Sequence, residues 1–234
     1  MSGSHKRAWA DAAARCPFGP LLTPAEILAG PPPPAYDALA IGRLRAMADY
    51  VTRFLPASHP LLGRSGAVCP FAARGLAEQT IRLTGFVEQD CTEGAIVAGM
   101  LQLRTRMETE VDAGPNRAVV AVFPRLQEPE GAVIIERIQK SMKLSFVRRG
   151  LMLGEFYPSC LRGGLWNEAF KALQAPAICL AVRNMTLYDA PFMLDRKVYA
   201  DAFVGQFGEA GAERILKARQ SLADRVGADA PAAP

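Results

Sequence analysis

The run Ala118-Val-Val-Ala-Val-Phe123 is the sequence feature that most restricts how this chain can fold. Its side chains are all apolar and half of them are β-branched valines, a composition that favours a strand. Because no polar residue alternates with the apolar ones, the run predicts a strand buried on both faces. Pro124 follows directly and closes the strand.

Helical patterns lie on both sides of this strand. Behind Thr92, which can cap a first turn, apolar side chains recur at three- and four-residue steps, at Ile96, Met100, Leu103, Met107 and Val111. A second apolar face follows Glu128-Pro-Glu130 and ends near Gly150, at Ile134, Ile138, Met142 and Phe146. An earlier helix is predicted from Tyr36 to Phe54, ended by Pro56.

Further strands are predicted at Gln79 to Phe86, Leu151 to Phe156 and Ala177 to Val182. One turn of helix is expected at Asn167 to Leu173, and the C-terminal part returns to helix. Since helices and strands alternate over most of the chain, the expected fold class is α+β, a mixed β-sheet with helices packed against it.

The domain organisation follows from length and from the prolines. With 234 residues and 50% hydrophobic content, the chain fits one domain with an arm. Residues 1–35 are predicted to be an N-terminal arm with a short first helix, a turn at Pro24 to Ala29 and a stiff spacer at Pro31 to Pro34. Residues 36–227 form the predicted core domain, and residues 228–234 a frayed, disordered tail.

Composition narrows the classes of partner and compartment. No apolar run reaches the roughly 20 residues that a membrane span needs, so no membrane partner is expected. The net charge of +4 is spread along the chain, which disfavours nucleic acid. The cysteines are odd in number and include no Cys-x-x-Cys pair, which argues against a disulfide framework and a zinc site. We expect an unexported, cytoplasmic protein with reduced cysteines.

The loop His59-Pro-Leu-Leu-Gly-Arg-Ser-Gly-Ala-Val-Cys-Pro-Phe71, called the His59 loop below, is the first candidate site. It combines one of two histidines with Arg64, two glycines and Cys69. An imidazole can bind iron or move protons near neutral pH, and a cysteine thiolate can bind haem. The alternative is that the glycines and prolines shape an ordered connection, with a capping histidine and a buried cysteine.

Two further candidate sites follow predicted strands. Glu155 and Tyr157 lie two residues apart, which puts them on the same face of a strand, as an acid/base or hydrogen-bonding pair or as a solvated strand end. Arg183 follows another strand and could bind a substrate carboxylate, with Asp189 close behind in the sequence. The alternative for these two residues is an ion pair that pins the loop between them.

The His59 loop matches His-Pro-x-Leu-Gly-Arg-x-Gly-x-Val-Cys-Pro-Phe, so the chain resembles a bacterial family of unknown function. The resemblance covers roughly residues 40–208 and continues through Phe146 to Pro158, Gly164 to Asn167 and Ala175 to Met185. More distantly, the layout is similar to guanitoxin-type haem-dependent N-hydroxylases. That similarity implies oxidation of an amine or guanidine nitrogen on a small amino-acid-like substrate in specialised metabolism, with haem held by a single protein ligand.

The resulting hypothesis is a haem-dependent oxidative enzyme, a monooxygenase-like N-hydroxylase. His59 is the first choice of iron ligand and Cys69 the second, with Arg64 beside them; Arg183 and Asp189 bind substrate, while Glu155 and Tyr157 handle protons. One alternative is a non-catalytic protein that binds haem or a small molecule as a sensor. Another is thiol chemistry at Cys69. The expected partner is a small-molecule substrate, and a homodimer is left open.

Overall fold

The protein is described here by a computed structural model covering residues 16–228. Residues 1–15 and 229–234 lie outside the described residues, and with them the predicted first helix and most of the predicted tail. The chain divides into two compact units. The first unit comprises the residues up to 140 together with 154–183, and the second comprises 141–153 and the residues from 184 onward. The predicted boundaries at residues 35 and 227 stay predictions.

The secondary structure follows the predicted order of helices and strands. The α-helices within residues 16–228 are α1 (Pro24–Ala29), α2 (Ala38–Asp49), α3 (Ala72–Ala77), α4 (Glu93–Glu110), α5 (Glu130–Val147) and α6 (Lys197–Ala228). The strands are β1 (Ile81–Gly85), β2 (Ala118–Val122), β3 (Leu151–Phe156) and β4 (Cys179–Asn184). Short 3-10 helices span Pro60–Leu62 and Leu187–Met193, and a π-helical turn, Tyr50–Phe54, continues α2.

The four strands form one mixed sheet in the order β1-β2-β4-β3. β2 pairs with β1 in parallel and with β4 in antiparallel orientation, so that Val120 lies between Leu83 and Ala181. The side chains from Val119 to Val122 are buried, which confirms the strand with two covered faces. The α+β fold class with a mixed sheet is therefore confirmed.

Capping residues set several helix starts as the sequence predicts. The Thr92 side chain accepts the backbone N–H of Ala95 at 3.2 Å and begins α4. After the C-terminal end of α5, Gly150 has a φ of 71°, a left-handed conformation that favours glycine. Local capping interactions therefore account for these two helix boundaries.

The segment before α1 packs on the first unit. Residues 18 and 22 form antiparallel bridges with Phe86 and Leu83, and Leu22 and Leu83 exchange backbone hydrogen bonds of 2.9 and 2.8 Å. The Phe18 ring meets the rings of Phe86 and Phe123 edge-on. The segment thus lies along β1, where unpaired backbone groups would otherwise face solvent.

Two details of the predicted elements were wrong. Asn167 to Leu173 contains turns and no helix, because its backbone bonds close short loops such as Gly164 N–H to Phe170 O at 2.7 Å. On α5 Ile135 is completely buried, whereas the predicted Ile134 is only half-buried. The polar side chains Gln139 and Lys143 are also buried on that helix, so apolar spacing alone does not identify its buried face.

The second unit has its own apolar core. Helix α6, which contains non-helical backbone at Gly208, packs with the 3-10 helix Leu187–Met193. The buried cluster consists of Val147, Met185, Ala190, Met193, Tyr199, Ala200, Phe203 and Ile215. The Lys143 ammonium donates to the Phe192 carbonyl at 2.8 Å and lies 4.6 Å from the centre of the Tyr199 ring. This buried lysine therefore stabilises the 3-10 helix from its C-terminal end.

Candidate functional site

The His59 loop is closed by its own backbone. Residues 58 and 67 form an antiparallel bridge, and the N–H groups of Val68 and Cys69 donate to the carbonyls of Ala57 and Leu55, both at 2.8 Å. Gly63 has a φ of 75°, and a Cβ there would lie 2.8 Å from the Trp166 carbonyl oxygen. Only glycine fits this position without strain. The backbone of the loop is therefore tightly determined.

Arg64 bonds within the same loop. Its guanidinium donates to the carbonyls of Ser65 at 2.9 Å, Ala67 at 2.8 Å and Val68 at 3.3 Å. A guanidinium has a fixed fork of N–H donors, and here three of its contacts are to loop carbonyls. This arrangement matches the alternative in which the loop residues shape the connection.

His59 caps the 3-10 helix that follows it. Its Nδ1 accepts the Leu61 backbone N–H at 3.2 Å, and its ring lies against those of Phe54 and Phe170, with centroids 6.1 and 4.8 Å away. Because Nδ1 accepts, the proton of the neutral imidazole belongs on Nε2. Iron binding through Nε2 would need the opposite tautomer. His59 as arranged does not fit an axial haem ligand.

Cys69, the second choice of iron ligand, is half-buried. Its carbonyl accepts the Ala72 N–H at 3.2 Å where α3 begins. All five cysteines are free, and within residues 16–228 no three His, Cys, Asp or Glu side chains are grouped so as to hold a metal ion. Haem binding and thiol chemistry at Cys69 stay predictions.

Glu155 lies on the buried face of β3 and not at a solvated strand end. Its side chain is 2% exposed and forms an ion pair with Arg162, with 2.7 Å between Oε1 and Nη2. A buried carboxylate needs such a partner because removal from water strongly disfavours an isolated charge. The Arg162 side chain is 50% exposed, so its guanidinium connects a buried charge with the surface.

Tyr157 lies on the same side and is 8% exposed. Its phenol donates a hydrogen bond to Oε1 of Glu136 on α5. Burial, followed by this hydrogen bond, raises the pKa of the Tyr157 phenol, so the group stays protonated at neutral pH. The same hydrogen bond is the main cause that lowers the pKa of Glu136, with Lys140 contributing at 3.3 Å. Glu136 is therefore ionised at neutral pH.

Tyr157, Glu136 and Arg162 line an open cleft of about 500 Å³, called the Tyr157 cleft below. Its lining consists of Pro129, Ala132, Val133, Glu136, Tyr157, Ser159, Leu161 and Arg162. Helical spacing on α5 puts Ala132, Val133 and Glu136 on one face. The cleft therefore has an apolar wall and two charged side chains of opposite sign.

The rim of the cleft is fixed by Glu128. Its Oε1 accepts the backbone N–H of Ser159 at 2.9 Å and also the Ser159 hydroxyl. Backbone bonds from Cys160 N–H to the Tyr157 carbonyl at 3.2 Å, and from Tyr157 N–H to the Leu173 carbonyl at 3.3 Å, hold the segment after β3. An irregular segment is thus held in place beside the cleft.

The remaining predicted site residues are not in this lining. The Arg183 guanidinium lies 5.1 Å from the centre of the Phe71 ring, a cation–π contact in the first unit. Asp189 is buried in the second unit, where its carboxylate accepts the Thr186 N–H at 2.7 Å in a capping box. The substrate roles of these two residues, and the ion pair between them, stay predictions.

The structure thus joins one predicted pair to residues that the sequence did not single out. Tyr157 meets Glu136 and Glu155 meets Arg162, whereas His59, Arg64 and Cys69 lie outside the cleft lining. The sequence could have placed Glu136 beside Ala132 and Val133, because it follows them at helical spacing and so lies on the same helix face. No comparable signal marked Arg162, since it lies in an irregular segment whose path depends on tertiary contacts.

The fold and the cleft define an α+β domain with a small-molecule-sized cleft at the end of a strand. The chain belongs to a family described as a domain of unknown function, DUF6875, whose model matches residues 44–218. No curated protein and no solved structure matches the chain. The loop motif and the likeness to N-hydroxylases stay predictions.

None of the helices in residues 16–228 combines the length and the hydropathy that a membrane crossing needs.

Proposed function

We propose that the Tyr157 cleft binds a small molecule that carries a protonated nitrogen, such as an amine or a guanidine. The observation that carries the proposal is the hydrogen bond from Tyr157 to Glu136, because it keeps a carboxylate ionised beside an apolar wall. A negative charge so held attracts a cation, and the wall accepts its alkyl part.

The size and exposure of the cleft support this proposal. A volume of about 500 Å³ lies within the roughly 300–1,000 Å³ of small-molecule sites. The Glu136 side chain is 33% exposed, so a ligand can reach it. Lys140, its present partner, is 66% exposed, and an exposed ion pair is worth only about 0–1 kcal/mol. A ligand cation can therefore replace Lys140 at small cost.

The protonation states define what the cleft can do chemically. Tyr157 keeps its proton at neutral pH because of its raised pKa, so it acts as a hydrogen-bond donor and not as a base. Glu136, whose pKa is lowered, stays an anion that accepts hydrogen bonds from a bound ammonium or guanidinium group. The proton-handling role predicted for Glu155 and Tyr157 stays a prediction.

Oxidation of the bound nitrogen with haem is a further proposal, supported by the resemblance described above. The imidazole of His59 does not fit an iron ligand as it is arranged, so no step is derived through haem. Binding in the Tyr157 cleft is compatible both with an enzyme and with the alternative of a non-catalytic sensor. Product analysis by mass spectrometry after incubation with a bound ligand separates these alternatives.

Binding is tested by thermal unfolding with L-amino acids and the amines obtained by their decarboxylation. The matched pairs are lysine with cadaverine, ornithine with putrescine, leucine with 3-methylbutylamine and phenylalanine with phenethylamine. A ligand at 100 times its Kd stabilises the fold by about 2.7 kcal/mol. We expect at least one pair to stabilise the protein, and Glu136→Gln to remove most of that effect.

Glu108→Gln is the matched control, since Glu108 is an exposed carboxylate on α4. It should leave the ligand-induced shift unchanged. The proposal is wrong if no compound stabilises the protein, or if Glu136→Gln and Glu108→Gln respond to the ligand alike.

A further inference from the structure

We propose that the ligand of the Tyr157 cleft carries a carboxylate as well as a protonated nitrogen, and that Arg162 binds this carboxylate. The ligand class is then the zwitterionic amino acids and not simple amines. This inference rests on the proposed function, because it concerns the second charged group in the same cleft.

The surroundings of Arg162 support a carboxylate site. A guanidinium has a planar fork of five N–H donors, and Nη2 forms an ion pair with Glu155 at 2.7 Å. Arg162 lines the cleft and its side chain is half exposed, so a ligand in the cleft can reach the guanidinium. Guanidinium groups suit carboxylates because two parallel N–H bonds can form at once.

Glu155 is the positioning residue for Arg162. Its carboxylate is almost completely buried and belongs to β3, a regular strand, so it gives the guanidinium a rigid attachment point. An arginine held at one edge loses less side-chain entropy when the other edge binds a ligand. The sequence places Glu155 in the strand, and the fold gives it a role that does not require contact with the ligand.

The two charged side chains in the cleft lining select for a zwitterion. Glu136 is negative and Arg162 is positive, and both line the same volume. A ligand with only a cation would leave the positive charge of Arg162 without a ligand partner. The apolar residues Ala132, Val133 and Leu161 line the same volume and offer contact to an aliphatic or aromatic side chain.

The test compares each amino acid with its own amine by titration calorimetry on the full chain. A hydrogen-bonded charge pair discriminates by about 10-fold or more, so we expect the amino acid to bind at least that much more tightly than the amine. In Arg162→Gln the two Kd values should become equal. In Glu136→Gln both ligands of a pair should bind more weakly.

Two further variants are needed to separate loss of the carboxylate site from a general effect on folding or charge. Arg162→Gln leaves the buried Glu155 without its guanidinium, so Glu155→Gln with Arg162→Gln serves as a folded alternative in which neither charge remains. Arg53→Gln is the control, because Arg53 is an 81% exposed arginine on the π-helical turn. It should keep the preference for the amino acid.

The outcomes separate the two proposals. If an amine binds as tightly as its amino acid and Glu136→Gln weakens both, the carboxylate site is refuted while the proposed function stands. If an amino acid binds and Glu136→Gln has no effect, the proposed function fails, and the carboxylate site at Arg162 fails with it unless Arg162→Gln makes the two Kd values equal. If no compound binds, both proposals fail.

Discussion

Arg64 in the His59 loop and Arg162 at the Tyr157 cleft are both arginines in irregular segments of the first unit, but their guanidinium groups face different surroundings. Arg64 donates to three carbonyls of its own loop. Arg162 forms an ion pair with a buried carboxylate and lines an open cleft. Arg64 therefore bonds within its own loop, whereas Arg162 stays half exposed beside the cleft.

This difference shows why unusual composition is a poor guide to the site. The His59 loop is the most distinctive stretch of the sequence, yet its histidine caps a 3-10 helix and its glycines permit a close backbone approach. The cleft is built from ordinary residues of a helix and a connecting segment. A site depends on which polar groups remain accessible after the backbone has been satisfied.

The largest effect is expected for Arg162→Ala. The substitution leaves the buried Glu155 carboxylate without this guanidinium, and breaking such a pair costs about 3 kcal/mol. Urea unfolding at pH 7 measures the loss. Arg53→Ala, which removes an exposed arginine from its pair with Asp49, should change stability by less than about 0.5 kcal/mol. Equal effects of the two variants would mean that the ion pair between Arg162 and Glu155 contributes no more to stability than an exposed pair.

Gly63→Ala should have the next largest effect and tests the rigidity of the His59 loop. The new methyl group would approach the Trp166 carbonyl oxygen to 2.8 Å in a left-handed backbone conformation, at a cost of about 2 kcal/mol. Thermal or urea unfolding detects it. Gly42→Ala is the control, because Gly42 lies in α2 and a Cβ there would meet no atom outside the helix's own backbone within 4 Å, so alanine should stabilise by about 0.5–1 kcal/mol. An unchanged stability in Gly63→Ala would show that the loop adapts easily.

Tyr157→Phe tests the hydrogen bond to Glu136 and should cost about 1 kcal/mol at pH 7. Because the folded-state pKa of Glu136 is lowered, its contribution is present above the unfolded-state pKa and is lost as pH falls through the folded-state pKa. The difference in unfolding free energy between wild type and Tyr157→Phe should therefore shrink as the pH falls from about 5 to 3.

Tyr188→Phe is the control for that pH series, since Tyr188 is exposed and lies in the second unit. Its stability difference from wild type should not depend on pH over the same range. A constant deficit in Tyr157→Phe would mean that the phenol does not act through the ionised form of Glu136.

The smallest effect is expected for His59→Ala, a variant for which the haem hypothesis requires a large change in the absorption spectrum. If His59 or Cys69 binds iron, the protein reconstituted with haem should have a Soret band that changes in His59→Ala or Cys69→Ala. With His59 arranged as a helix cap, we expect His59→Ala to give the wild-type spectrum. A Soret band lost in either variant would support the His59 loop as the cofactor site.

Much of the fold was predictable because its signals are local. The apolar run of β2, the Thr92 cap of α4 and the left-handed Gly150 after α5 each depend on a few neighbouring residues. The missing helix between Asn167 and Leu173 and the exchanged roles of Ile134 and Ile135 were errors where turns or buried polar groups override the pattern. Periodicity does not register such tertiary effects.

The candidate site was predictable only in part. Strand alternation placed Glu155 and Tyr157 on the same side, and the structure buries both of them. Their partners could not be read from the sequence, since Glu136 lies in a separate helix and Arg162 in a segment without regular structure. Neither spacing nor residue type indicates which carboxylate a phenol will reach across the fold.

The sequence by itself determined the α+β class, the order of helices and strands and the residues that cap them, because these depend on interactions within a few residues of chain. Only the tertiary structure decided that Arg64 bonds its own loop and that Glu136, Tyr157 and Arg162 line a cleft. The physical reason is that the accessibility of a charge depends on which backbone and side-chain groups it meets across the fold. Those encounters join residues far apart in the sequence.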